Sequence, residues 1–173
     1  MELGEVYFFT ATITKWRHLL VADKYKQIIL ESLHYLTNHG KIAVYGFVIM
    51  PNHIHFIWEL LEMNGRELPH ASFMKHTSHT IQKDLRLNHP EILDEFKVDL
   101  QTRQYHFWQR DSLPILLYSP KVIFQKLEYI HNNPLKVNWR LAESPESYPF
   151  SSAKYYITGE KDFSFLTHIG DRI

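Results

Sequence analysis

Hydrophobic positions along the chain recur with two periods, one of two residues and one of three to four residues. The shorter period is typical of strands and predicts three of them. Aromatic and β-branched residues dominate positions 7–14 and 53–61, and an apolar run occupies 41–50. Pro51 and Asn52 are turn residues between the second and third runs. The sequence therefore predicts one strand and, after an intervening segment, an antiparallel hairpin.

A period of three to four residues predicts three helices, over about 24–38, 71–87 and 121–132. Asp23 is the predicted N-cap of the first helix. Ser119 at the N-cap, followed by Pro120 at the first helical position, is a specific start signal for the third. Each helix carries one apolar stripe, so each is expected to pack against a sheet.

The rest of the chain completes an α+β plan. We expect a short helix and connector over 91–104, a fourth strand near 107–110 or 115–117, and a packed aromatic tail over 145–156. The order strand, helix, two strands, helix, strand, helix fits a ferredoxin-like antiparallel sheet with helices mainly on one face. The 173 residues are most simply one domain, 1–173.

Composition narrows the chemistry that such a fold can carry. The chain has 19 basic and 19 acidic residues, 12 histidines and no cysteine. The lack of cysteine excludes disulfides, zinc–thiolate sites and a thiol nucleophile. Zero net charge weakens the case for non-specific nucleic-acid binding but leaves a local basic face open. Neither a membrane-spanning run nor a secretory signal is visible, so a cytoplasmic protein without membrane contact is expected.

His53 and His55 form half of a metal site if the stretch around them is a strand. Side chains at i and i+2 of a strand share a face, so both imidazoles can point at one spot. In a chain this rich in histidine, however, a His-x-His pair also arises by chance. From the pair alone, two half-buried histidines hydrogen-bonded to neighbours are the better interpretation.

Tyr129 and Asn133 lie one turn apart on the last predicted helix and share a face, with Asn132 as the geometrical alternative to Asn133. A phenol with a pKa of about 10 needs activation to attack at neutral pH, and Lys126 would favour the phenolate. A divalent ion on two histidines and an asparagine oxygen would polarise a phosphoryl group. Such ligands suit Mg²⁺ or Mn²⁺, with zinc or nickel as alternatives.

These residues stand in motifs that resemble the HUH single-tyrosine transposases, and among them the REP-associated tyrosine transposases. The motifs follow the family's order: Gly4 to Thr10, Met50 to His55, Phe107 to Arg110, Glu128 to Pro134 and Pro145 to Ser152. The resemblance covers about residues 4–159 and leaves 160–173 as a short C-terminal extension. Glu5 and Val6 stand where that branch usually carries Thr-Trp, so the identity of the DNA end does not carry over.

The resemblance implies a metal-dependent enzyme that cleaves and rejoins single-stranded DNA at imperfect hairpins. It assigns His53, His55 and Asn133 as ligands of Mg²⁺ or Mn²⁺. Tyr129 would be the nucleophile, forming a 5′-phosphotyrosine intermediate and freeing a 3′-OH. The expected partner is single-stranded or hairpin DNA, and the active form is a monomer or a homodimer. The fold it implies is a ferredoxin-like sheet with the histidines on a central strand.

Basic and aromatic side chains elsewhere are candidates for DNA contacts. They are two aromatic–basic groups, Trp16 with Lys15 and Arg17 and Trp108 with Arg110, and one helical stripe, Lys75, His79, Lys83 and Arg86. The aromatic groups would stack bases and hold phosphates, although Trp108 is an equally good core residue. A basic stripe is as often a solvated helix face as a DNA contact. His131 projects away from Tyr129 and is interpreted as structural.

Two other functions fit parts of the same pattern. A nucleic-acid-binding module with this sheet but no chemistry would bind DNA regardless of chelator or of Tyr129. A metal-dependent hydrolase would use His53 and His55 to activate water and would form no covalent intermediate. Covalent capture of DNA distinguishes the strand transferase from both.

Overall fold

The computed structural model describes residues 1–100, 103–109, 112 and 114–173. Its strands are β1 (Val6–Thr12), β2 (Ile42–Ile49), β3 (His53–Leu60), β4 (Lys97–Leu100), β5 (Arg103–Tyr105) and β6 (Ile115–Leu116). Four of them form one antiparallel sheet in the order β2-β3-β1-β6, and β4 pairs with β5 in a separate hairpin. This strand order confirms the ferredoxin-like prediction and places β3 inside the sheet.

The helices are α1 (Asp23–Asn38), α2 (Pro69–Asn88), α3 (Pro90–Asp94), α4 (Pro120–His131) and α5 (Ala153–Thr158). The apolar residues of α1, α2 and α3 pack into the core on one face of the sheet, whereas those of α4 pack on the other. The prediction of an α+β fold with helices mainly on one face is therefore confirmed, with α4 as the exception. None of the described helices is long and apolar enough to cross a membrane.

Helix starts follow the local sequence at α4 but not at α1. Ser119 is the N-cap of α4, and its Oγ accepts a hydrogen bond from the backbone N–H of Val122 (3.4 Å), as predicted. The predicted N-cap role of Asp23 is wrong, because Ala22 occupies that position without a side-chain cap. Instead, the Asp23 carboxylate accepts a hydrogen bond from the buried Lys26 Nζ at 2.8 Å.

Alternate residues of β3 enter two different cores. Ile54, Phe56 and Trp58 are fully buried beneath α1 and α2, in a cluster rich in aromatic rings. His53 and His55 lie on the opposite face, towards α4. The two-residue period of the strand thus separates an apolar face from a polar one, as the sequence predicted.

Gly46 lets α4 approach the sheet closely. A Cβ atom at this position would lie 2.6 Å from Leu127 Cδ2 and 3.2 Å from Ile130 Cδ1. The β2–β3 register also shifts between Val44 and Gly46, which marks a bulge there. Without a side chain at this point, the C-terminal half of α4 packs directly on β2.

Two regions differ from the sequence-based prediction, 91–104 and 160–173, and at a third the structure selects one of two predicted alternatives. Over 91–104 the helix ends at Asp94, and the β4–β5 hairpin follows where a connector was expected. The fourth strand of the main sheet is Ile115–Leu116, the second of the two predicted positions. Residues 160–173 are packed into the domain: Phe165, Leu166 and Ile169 are buried, so this segment is part of the core.

Candidate active site

The two histidines stand at the start of β3 and are held by hydrogen bonds at Nδ1. The Nδ1–H of His53 donates to Oδ1 of Asn52 (2.7 Å). His55 Nδ1 is paired with the hydroxyl of Thr10 (2.7 Å), the residue directly opposite it in the β1–β3 register. The ring centroids lie 4.8 Å apart. Because both Nδ1 atoms are engaged, Nε2 of each ring is the nitrogen left for a ligand.

Burial keeps both imidazoles neutral. It lowers the pKa of His53 to about 4, with the positive charge of Lys136 as a second cause. It lowers the pKa of His55 to about 3, with further contributions from His53, Lys136 and Lys126. At neutral pH each ring is therefore neutral and keeps a lone pair on one nitrogen, as a metal ligand must. In His53 this nitrogen is Nε2, because Nδ1–H donates to Asn52. In His55 it is Nε2 when Nδ1–H donates to the Thr10 hydroxyl.

Tyr129 of α4 lies beside the histidine pair at the edge of the core. Its ring centroid is 5.5 Å from that of His55 and 6.1 Å from that of Phe8, and 42% of the residue is exposed. Lys136 Nζ is 4.0 Å from the Tyr129 ring centroid, and Lys126 Nζ is 5.7 Å from it. The structure thus brings the predicted tyrosine to the predicted histidines and surrounds it with positive charge.

Asn133, and not Asn132, reaches the histidines. Asn133 is buried, and its amide lies 3.4 Å from His53 Nε2. Asn132 is exposed, and its amide donates to the backbone carbonyl of Glu128 on its own helix (2.9 Å). A rotation of the Asn133 amide would present its oxygen to the same position, since the two orientations have nearly the same shape.

This donor set fits a divalent metal ion. His55 Nε2 is buried and has no hydrogen-bond partner among the described residues, which is costly unless a ligand satisfies it. His53 Nε2 and the Asn133 amide face each other nearby. No group of three or more His, Cys, Asp or Glu side chains suited to a metal occurs in the described part of the chain. The candidate site is therefore two imidazoles and one amide, with positions left for water or phosphate oxygens.

His131 has a structural position, on the side of α4 away from Tyr129. It is buried, and its Nε2 is hydrogen-bonded to Ser152 Oγ (2.8 Å). The same oxygen accepts from the backbone N–H of Phe47 on β2 (2.9 Å). Ser152 thus ties the end of α4 to the sheet, which gives the last residue of the Pro145–Ser152 motif a physical role in placing Tyr129.

The first group of candidate DNA contacts lies near the site. Trp16 is 60% exposed, and its ring centroid is 6.4 Å from that of His53. Lys15 is exposed beside it. Arg17 is partly exposed and forms an ion pair with Glu95.

The stripe on α2 lies on the helix that covers the opposite face of the sheet. Its members are exposed: Lys75, His79, Lys83 and Arg86. Lys75 forms an ion pair with Glu67 at 2.9 Å. The stripe is therefore remote from the histidine pair, and DNA would touch both only by extending around the domain.

Trp108 does not form a stacking surface. It is 3% exposed, belongs to the core beneath α1 and α2, and donates its Nε1–H to Thr77 Oγ1 at 3.0 Å. The prediction that it contacts DNA is wrong, because its ring is covered and its polar atom is paired. Arg110, its proposed partner, lies outside the described residues.

The sequence did not identify four residues at the site: Thr10, Asn52, Lys136 and Trp139. Thr10 is found only through the β1–β3 register, and Asn52 through its side-chain hydrogen bond to His53. Lys136 and Trp139 follow the Asn-Pro motif, and the turn there folds them back to Tyr129 and His53. Their position close after the motif was the one available signal.

Comparison with known proteins gives a consistent result. No family model matches the chain. It is 25% identical over 150 residues to a Haemophilus influenzae protein described as a REP-associated tyrosine transposase, covering 86% of this chain and 80% of that protein. A solved REP-associated tyrosine transposase bound to a REP hairpin has the same fold, with a TM-score of 0.64 and 18% identity over 97% of this chain and 88% of its own.

Proposed function

Because this chain is related in sequence to the REP-associated tyrosine transposases and shares their fold, we propose that it is a DNA strand transferase of that type. In this proposal it binds single-stranded or hairpin DNA, cleaves one strand with Tyr129 and rejoins it. The cofactor is Mg²⁺ or Mn²⁺, held by His53, His55 and Asn133. The related proteins support the coarser part of this proposal, a transposase that binds hairpin DNA. The arrangement of side chains at the site supports the proposed chemistry.

The observation that carries the proposal is the position of Tyr129 beside His55. His55 of β3 and Tyr129 of α4 are far apart in the sequence, yet their ring centroids lie 5.5 Å apart. The hydroxyl-bearing ring is partly exposed, while the imidazole is buried with an unpartnered Nε2. A phosphodiester at the surface would therefore lie beside the nucleophile and beside an ion held at His55 Nε2.

In the proposed reaction, Oη of Tyr129 attacks the phosphorus of a phosphodiester, and the bond to the 3′ oxygen breaks. The phenol loses its proton and the departing 3′ oxygen gains one. The products are a 5′-phosphotyrosine and a free 3′-OH. Because the covalent bond conserves the energy of the linkage, a second 3′-OH can attack the phosphotyrosine and release the enzyme.

The surrounding residues prepare this step. Lys126 and Lys136 place positive charge over the Tyr129 ring, which attracts the DNA phosphate to the nucleophile. Hydrogen bonds at Nδ1 to Thr10 and Asn52 orient the two imidazoles, so that Nε2 is the nitrogen that would bind the ion. A divalent ion at the site would draw charge from a phosphoryl oxygen.

We also propose DNA contacts around the site. Lys15 and Trp16 lie nearest to the histidines, and Arg17 follows them in the chain. The exposed stripe on α2 would hold phosphates farther along a hairpin stem through Lys83 and Arg86. These contacts would orient the strand without reading its sequence.

The direct test is covalent capture of DNA. The protein is incubated with single-stranded hairpins taken from the DNA that flanks its own gene, with Mn²⁺ or Mg²⁺, and run on a denaturing gel. We expect a protein–DNA adduct that a chelator abolishes and that Tyr129→Phe loses completely. Tyr118→Phe is the matched control, since Tyr118 is an exposed tyrosine just before α4 and is expected to leave the adduct unchanged.

Other outcomes identify the rival functions. An adduct undiminished in Tyr129→Phe would reject this nucleophile. DNA binding without an adduct, unaffected by chelator, would indicate a binding module. Metal-dependent cleavage without an adduct, unaffected by Tyr129→Phe, would indicate a hydrolase.

A further inference from the structure

We propose that Trp16 and Trp139 form a stacking site for an unpaired nucleobase next to the phosphodiester that Tyr129 attacks. The inference rests on the proposed function, because that function determines where the DNA strand lies on the protein. It adds a ligand class, an unstacked DNA base, and a residue, Trp139, that belongs to none of the motifs above. The proposal follows from the contacts, exposure and backbone of the two tryptophans.

Both rings lie against the same histidine. The Trp16 ring centroid is 6.4 Å from that of His53 at an interplanar angle of 70°, and the Trp139 centroid is 5.8 Å away at 52°. His18 extends this group, with its ring 5.7 Å from Trp139. Since His53 is a candidate metal ligand, a strand whose phosphate is held there must pass its neighbouring base close to these rings.

Trp16 and Trp139 are more exposed to solvent than the other two tryptophans, Trp58 and Trp108. Trp58 and Trp108 are buried, whereas Trp16 is largely exposed and Trp139 is half-buried against the core beneath α4. Leaving a large aromatic ring in water is unfavourable, and tryptophan is on average highly buried in proteins. An exposed ring beside a polar site is therefore best explained by a ligand that covers it.

The backbone is strained at Trp16 and at the residue that follows Trp139. Among the described residues, three non-glycine residues have positive φ: Lys15 (57°), Trp16 (55°) and Arg140 (47°). Trp16 is one of the two tryptophans, Lys15 precedes it in the chain, and Arg140 follows Trp139. L-residues rarely adopt this conformation, and where it persists it tends to mark functional sites.

Asn52 links this strained segment to the metal site. Its Nδ2 donates to the backbone carbonyl of Trp16 (3.2 Å), while its Oδ1 accepts from His53 Nδ1 (2.7 Å). One turn residue thus fixes both the backbone that carries the Trp16 ring and the imidazole beside it. The backbone from which the Trp16 ring projects is thereby fixed relative to the site.

A nucleobase is the ligand that this chemistry fits. Every base has an aromatic face that stacks on tryptophan, and proteins that bind single strands combine such rings with positive charge for the phosphates. The positive charge is present in the exposed Lys15 beside Trp16 and in Lys136 near Tyr129. Inside a duplex both faces of a base are covered by its stacked neighbours, so the site would select unstacked, unpaired nucleotides next to the cleaved bond.

The test compares DNA with and without bases. Oligothymidylate of about 10 nucleotides and an abasic oligomer of equal length carry the same phosphate charge. Binding is measured with chelator present and in the Tyr129→Phe background, so that no chemistry occurs. We expect Trp16→Ala to weaken oligothymidylate binding roughly 5- to 150-fold, the range for loss of one base–aromatic stack, and to leave abasic binding unchanged.

Two further measurements complete the test. Tyr35→Ala is the matched control, because Tyr35 is exposed to a similar degree but lies on α1, on the opposite face of the sheet; it is expected to change neither affinity. Trp139 also packs against the core, so it is tested without truncation, by fluorescence in the Trp16→Phe variant. Oligothymidylate should quench its emission and the abasic oligomer should not, while the buried Trp58 and Trp108 contribute a constant background.

The outcomes separate this inference from the proposed function. Equal losses of oligothymidylate and abasic binding in Trp16→Ala, or no loss of either, overturn the stacking site. Adduct formation on hairpin DNA is scored independently with the wild-type chain. No adduct together with base-dependent binding rejects the chemistry and leaves the stacking site standing, whereas an adduct with base-independent binding rejects the stacking site alone.

Discussion

The two faces of the central sheet share the same strands and have opposite chemistry. The face beneath α1 and α2 is lined by apolar side chains such as Phe9, Phe56 and Trp58, all fully buried. The face beneath α4 has a smaller apolar cluster and carries His53 and His55 at its edge. One face holds the domain together, and the other holds the residues proposed to act on DNA.

The contrast shows how a small domain can hold reactive groups rigidly. On β3 the two roles alternate residue by residue, so each histidine is anchored by apolar neighbours on the far side of the same backbone. Most buried polar atoms on the reactive face have partners, such as Thr10 for His55 Nδ1. His55 Nε2 is an exception, and a stable apolar face allows the fold to tolerate it.

The largest expected effect on the reactive face is that of His55→Ala. Loss of second-shell partners of metal ligands costs about 10- to 100-fold, so loss of a ligand should lower the adduct rate by about 100-fold or more. The free energy of unfolding should fall by less than about 2 kcal/mol, because truncation also removes the buried, unpartnered Nε2, which offsets part of the lost contacts with Phe8 and Thr10. Adduct kinetics and denaturant titration measure the two effects; a normal adduct rate would remove His55 from the site.

Phe56→Ala is the counterpart on the apolar face, one residue along the same strand. Truncating a fully buried phenylalanine should lower the free energy of unfolding by about 3–5 kcal/mol. The adduct rate per folded molecule should stay within about twofold of wild type, because the Phe56 ring packs against Phe9, Trp58 and Phe73 on the opposite face of the sheet and shares no partner with the site. Denaturant titration and adduct assays at low temperature test this. A large loss of activity in fully folded protein would show that the faces are not separate.

Gly46→Ala probes the contact that positions α4. The added methyl group would lie 2.6 Å from Leu127 Cδ2, so the Leu127 side chain or the helix that carries it must shift, at a cost of about 1–3 kcal/mol. We expect the helix to shift, and the adduct reaction to slow because Tyr129 then moves relative to His55. Combining it with Leu127→Ala, which removes the clashing atom, should cost less than the sum of the two single changes. Strict additivity would mean that this contact does not position the helix.

The smallest expected effect is on the remote stripe of α2. Replacing Lys83 and Arg86 with Gln should reduce the slope of log affinity against log salt by about 1.8 if both contact phosphates of a duplex stem. The adduct rate at saturating DNA should not change, because α2 lies across the sheet from Tyr129. Lys161→Gln is the control for general charge. An unchanged slope would show that Lys83 and Arg86 face solvent and do not contact DNA phosphates.

The sequence predicted most of the fold because its signals are local. The strand and helix periods gave the element order, and Ser119-Pro120 gave the start of α4. The β4–β5 hairpin was missed because 97–105 has no clear strand pattern. Asp23 was misassigned because a cap depends on which partner its carboxylate meets, and here that partner is Lys26.

What the sequence by itself determined is the set of groups fixed by backbone geometry over a few residues. His53 and His55 share a face of a strand, and Tyr129 and Asn133 share a face of a helix, whatever the rest of the chain does. Those pairs, together with the other motifs, were enough to indicate a resemblance to the tyrosine transposases, from which the proposed chemistry follows.

Only the tertiary structure decided which pairs meet and which side chains are covered. Trp16 and Trp108 have similar basic neighbours in the sequence, yet Trp16 is exposed beside His53 and Trp108 is buried against Thr77. Lys136 and Thr10 reach the site through a turn and a strand register. Such contacts depend on the packing of distant segments, which no local period encodes.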